Sequence, residues 1–81
     1  MRPINYKVIQ LSNNKYVVML KDRWWEGLEP KFNSWGKLTS YSTWIGSASV
    51  VARCQLTWPQ AKKLVAFLEL EREIYEGLQS E

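Results

Sequence analysis

Five tryptophans in 81 residues, with no histidine and a single cysteine, leave this chain few ways to fold. Trp24, Trp25, Trp35 and Trp44 crowd together with Phe32 and Tyr41, and Trp58 comes later. Each such ring takes roughly 150–250 Å² out of water when buried, and indoles and phenols also need a polar partner. A chain this short hides only about 60–65% of its unfolded surface. Its interior cannot absorb every ring, so some are expected at a surface that binds something.

The missing histidine removes the commonest general acid, general base and metal ligand. Ser40, Ser42, Ser47 and Ser49 therefore have nothing to activate them as nucleophiles. One cysteine and no histidine exclude ordinary zinc sites, and no metal or cofactor is expected. Gly27, Gly36 and Gly46 lie too far apart to cradle a phosphate. Cys54 falls among residues expected to face the core, where a thiol behaves as a small hydrophobe. Glu69, Glu73 and Glu76 share one helix face and read as its solvated stripe. The chain reads as a binder, not an enzyme.

At this length one domain, residues 1–81, is expected. Hydrophobic content of 46% and charged content of 23% are those of a globular protein. No apolar run approaches the roughly 20 residues of a membrane span, so no membrane association is expected. The segment Met1–Asn5 lacks a signal peptide's apolar stretch. With Cys54 alone, a reducing cytoplasm is the expected compartment. The net charge of +3 is divided unevenly. Up to residue 68 ten basic residues face three acidic ones; from Glu69 onward five glutamates face Arg72 alone. A basic body with an acidic tail suits either an anionic partner or an ordinary solvated surface.

Along the chain, Tyr6–Leu11 and Lys15–Lys21 read as a hairpin turned by Ser12-Asn13-Asn14. In the second strand Tyr16, Val18 and Leu20 alternate with Val17, Met19 and Lys21. Both faces are largely apolar, which predicts a central strand. Asp22–Lys37 holds the breakers Gly27, Pro30, Asn33, Ser34 and Gly36, and reads as an irregular aromatic loop. Leu38–Leu56 alternates like a strand but is too long for one, so a break by hairpin or bulge is expected near Ile45-Gly46-Ser47. Thr57-Trp58-Pro59-Gln60 is a capping box for a helix running from about Trp58 to Glu76, with Gly77 placed to cap its end. The predicted fold is α+β: a small antiparallel sheet of three or four strands beginning with a hairpin, and one C-terminal helix across one face.

At 100° steps along that helix, Ala61, Leu64, Val65, Leu68 and Tyr75 form one apolar stripe. Phe67, Leu70 and Ile74 widen it beyond what one sheet covers, which predicts self-association of the chain through these three residues. The second expected surface is the aromatic loop with its cations: Lys21, Arg23, Trp24, Trp25, Lys31, Phe32, Trp35 and Lys37. Trp, Tyr and Arg dominate protein interfaces, whereas rings interleaved with cations also suit single-stranded nucleic acids. The leading expectation is a non-catalytic inhibitor or adaptor docking on a larger host protein. Compact, motif-free, aromatic-rich chains of this kind are often encoded by bacterial viruses to block host functions, defence among them. The alternative is a nucleic-acid or nucleotide binder using the same basic and aromatic surface.

Overall fold

The computed structural model of the protein describes residues 3–79, with the side chains of Arg23 and Trp24 outside the described residues. Four strands, β1 (Tyr6–Gln10), β2 (Tyr16–Leu20), β3 (Arg23–Phe32) and β4 (Leu38–Ile45), precede two helices, α1 (Ser47–Arg53) and α2 (Trp58–Gln79). The strands form one antiparallel sheet in the order β1-β2-β3-β4. The fold is α+β, with α2 on one face as expected and the shorter α1 on the other.

The first hairpin closes on turn chemistry written in the sequence. The Leu11 amide donates to the Lys15 carbonyl at 2.8 Å, and Asn14 sits at φ +62°. Asparagine reaches that left-handed region at lower cost than most residues. The Asn13 side-chain oxygen accepts the Lys15 amide at 3.1 Å.

β2 is the central strand its two apolar faces predict. Successive side chains alternate across a strand, so β2 serves two separate interiors. Val18, with Tyr16 and Leu20 beside it, joins Leu28, Leu56, Ala61, Leu64 and Leu68 beneath α2. Val17 and Met19 point the other way, to Val50 and Cys54 of the α1 side, with Ile9, Leu11 and Trp44 around them.

Two stretches depart from the sequence reading. Arg23–Phe32, read as irregular, is a ten-residue strand. Gly27 is not a turn there but a point of close approach: a Cβ would lie 2.6 Å from Val50 Cγ1. Pro30 is tolerated because Tyr16, its counterpart if the Met19–Gly27 register continued, bonds to Leu56 instead, through two backbone hydrogen bonds of 2.9 and 2.8 Å. Residues 38–56, read as extended with a break, do break at Gly46 (φ +103°), but the chain then winds into the helix α1. Val50 and Cys54, one helical turn apart, are its buried contacts, while Ala48 and Ala52 of the expected inward set are exposed.

The capping box forms as expected. The Gln60 side chain accepts the Thr57 amide at 2.9 Å, and the Thr57 hydroxyl accepts the Gln60 amide at 3.4 Å. Gly77 does not cap the helix, which runs on to Gln79. Among the described residues no helix is long and apolar enough to cross a membrane.

Candidate functional site

The β3–β4 connection is a short, tightly bonded turn. The Asn33 side-chain oxygen accepts two amides, from Trp35 at 3.0 Å and from Lys37 at 2.9 Å. The Asn33 amide donates to the Lys37 carbonyl and its carbonyl accepts the Gly36 amide. Gly36 supplies the positive φ of +76° that the reversal requires. From α2, the Lys63 ammonium donates to the Gly36 carbonyl at 2.7 Å and lies 5.9 Å from the centre of the Phe32 ring. The turn is thus fixed from within and tied to a helix.

On this turn Trp35 stands 87% exposed. So large an apolar side chain, exposed on a constrained backbone, is the kind of group that interface hot spots use. Lys31 and Lys37, both exposed, lie four and two residues from it in sequence. A groove of about 380 Å³ runs from the turn along α2, lined by Gly36, Leu38, Lys63, Phe67 and Leu70. The loop and helix surfaces expected separately from the sequence are therefore neighbours at this end of the molecule.

The other half of the expected aromatic surface is elsewhere. Seven residues of strand separate Trp25 from Phe32, about 23 Å at the usual rise. Lys21 and Trp25 sit at the opposite end of β3, where the Trp25 carbonyl accepts the Gly46 amide at 2.9 Å. Arg23 and Trp24 belong to that end by backbone position, and their side chains lie outside the described residues. Of the eight residues expected to form one surface, the structure brings Phe32, Trp35 and Lys37 to one turn, with Lys31 adjacent by backbone position. Lys63 joins them, unforeseen, because only the packing of α2 shows which lysine reaches the turn.

Several other rings have structural partners. Trp44 is half-buried, its indole N–H donating to Glu29 at 2.8 Å and its face covered by Arg53 at 4.7 Å. Trp58 packs at 5.1 Å against Tyr16. Tyr6 and Tyr41 donate to Glu69 and Glu71 of α2, and burial with these hydrogen bonds pushes both phenols up to about 12. Phe67 meets Tyr41 edge-on at 6.0 Å.

The site presents an exposed indole and ammonium groups. Cys54 is fully buried, and burial, then the nearby Glu29 charge, pushes its thiol up to about 11. It stays protonated at neutral pH and is a poor nucleophile. Among the described residues no three His, Cys, Asp or Glu side chains are grouped to hold a metal ion. Comparison of the chain with protein-family models, curated proteins and solved structures finds no match.

Proposed function

We propose that the protein is a non-catalytic binding module, an inhibitor or adaptor that docks on a larger host protein in the cytoplasm with Trp35 as its anchor. One observation carries this reading: an 87% exposed indole held by a turn whose backbone is already fixed by Asn33 and Lys63. A rigid aromatic anchor loses little conformational freedom on binding, which is what interface hot spots exploit. The single buried cysteine fits a reducing compartment.

Capture from host lysate by immobilised protein, with mass spectrometry of the retained proteins, tests this at low and high salt. The expected result is a protein held by the native chain in high salt and lost with Trp35→Ala. If the Trp35→Ala chain retains the same partner, the anchor is elsewhere and this reading fails.

Lys63 over Phe32, with Lys31 and Lys37 exposed nearby in sequence, favours a second reading, a single-stranded nucleic acid or nucleotide stacked on the rings. Its mark is steep loss of binding with salt, because cations on phosphates release counterions.

A further inference from the structure

We infer that two copies of the chain pair through antiparallel α2 helices about an axis at Leu70, the last turns of each lying beside Lys63 and Phe67 of the other. This uses the groove beside the Trp35 turn but not the indole itself, and stands without the docking reading.

The inference begins with a helix longer than its sheet. All the buried residues of α2, Ala61, Leu64 and Leu68, lie in its first half. Arg72 donates to the Ile4 carbonyl and the Asn5 side chain, just before β1, both at 3.0 Å. The helix then continues from Glu73 to Gln79, about 10 Å at 1.5 Å per residue. That extension is not polar all round. Ile74 and Leu78 are 57% and 70% exposed, in line with Leu70 at 53% just before it. With Phe67 and Lys63 they fall within an arc of about 80° at 100° per residue. A stripe of this kind on a surface helix serves contact.

The first half of the same flank carries the groove along Gly36, Leu38 and Phe67. One molecule thus has an apolar extension at the end of α2 and an apolar groove along its middle. A twofold axis near Leu70 matches them in both directions. Ile74 of one copy comes beside Ala66 and Phe67 of the second, and Leu78 comes beside Lys63. Such an interface closes on itself, as twofold interfaces do. Parallel helices would instead lay extension on extension and leave both grooves empty.

Charge selects the same orientation. From Trp58 to Leu68 the helix carries Lys62 and Lys63 and no acid; from Glu69 to Gln79 it carries four glutamates against Arg72. Antiparallel pairing lays the basic half on the acidic half, whereas parallel pairing sets acid on acid. The last turn of α2 has no basic residue of its own to meet the negative end of its dipole. In the antiparallel pair, Lys37 and Lys63 of the second copy supply it.

Sedimentation velocity over a concentration series tests the association. A two-chain species is expected, and Leu70→Glu and Ile74→Glu should each raise its dissociation constant at least about thirtyfold with an unchanged far-ultraviolet spectrum. Ile74 is on the extension, so its substitution leaves the core untouched. Orientation is read by cysteine cross-linking, with buried Cys54 silent. Leu70→Cys should join two chains on mild oxidation. Leu78→Cys should not, because its two copies would stand about 24 Å apart along antiparallel helices. A disulfide tolerates Cα separations of only about 4.4–6.8 Å. A single-chain species at every concentration, a dimer indifferent to Leu70→Glu and Ile74→Glu, or equal cross-linking at 78 would overturn the inference. Trp35→Ala should leave the dimer intact, which separates this result from the docking reading.

Discussion

Gly27 of β3 lies directly under Val50 of α1, so close that a Cβ on Gly27 would be 2.6 Å from Val50 Cγ1 and 3.3 Å from Cys54 Sγ. Valine in a helix is held to essentially one rotamer, so it cannot swing clear. Gly27→Ala should therefore lift α1 off the sheet and cost about 1–3 kcal/mol, as overpacking does. Urea denaturation measures it, and adding Val50→Ala should recover part of the loss. An unchanged midpoint for Gly27→Ala would mean that α1 does not rest on β3.

The reciprocal Thr57 and Gln60 bonds fix where α2 begins. Thr57→Ala removes the hydroxyl acceptor and should cost about 0.5–2 kcal/mol. For a domain of this size each kcal/mol lowers the melting temperature by roughly 4–8 °C. Calorimetry checks the shift, and Thr57→Ser should restore most of it.

Alkaline stability should depend on two phenols. Tyr6 and Tyr41 are raised from 10.0 to about 12 in the folded chain, first by burial and then by hydrogen bonds to glutamates. The folded state therefore holds these protons more tightly than the unfolded chain. That contribution is complete below pH 10 and is lost as the pH rises from 10 to 12. Melting temperatures of the native chain should fall across this window more steeply than those of a Tyr6→Phe, Tyr41→Phe double variant. Parallel curves would show that the phenols are not coupled to folding.

Asn33→Ala tests preorganisation without touching the indole. It removes the acceptor of the Trp35 and Lys37 amides and leaves Trp35 in place. Partner affinity should fall while the exposed ring remains, because ordering the turn then has to be done on binding. Fluorescence anisotropy of Trp35, in a chain whose other tryptophans are phenylalanine, should show faster local motion.

Much of this fold is legible in the residues alone. The Asn13-Asn14 turn, the two apolar faces of β2 and the Thr57 box each rest on local chemistry that tertiary context does not override. The stretch from Ser47 to Arg53 is not legible in that way. Its alternation of small residues satisfies a strand, while Val50 and Cys54 satisfy a single helical turn, and seven residues are too few for periodicity to decide. The deciding residue is Gly27, two strands' length back along the chain and invisible to any local window. Gly27 and Pro30 also misdirect a reading of β3. Both residue types signal turns, yet here one admits a helix and the other faces a strand already paired elsewhere. At the candidate site the residue types are legible, but their partition between two ends of a strand is not. Only the register of β3 with β4 sends Trp25 one way and Trp35 the other.

The paired backbone of Tyr16 and Leu56 marks where the chain passes from the α1 side of the sheet to the α2 side. It leaves β2 as a floor shared by both interiors, so detaching either helix still leaves that strand covered from the other side. The β2 amides should then exchange with solvent deuterium only when the whole molecule opens. Their exchange free energy would equal that of global unfolding, while amides of α1 and of the far turns of α2 exchange through smaller openings. Protection in this protein should thus be graded outward from Val17, Val18 and Met19.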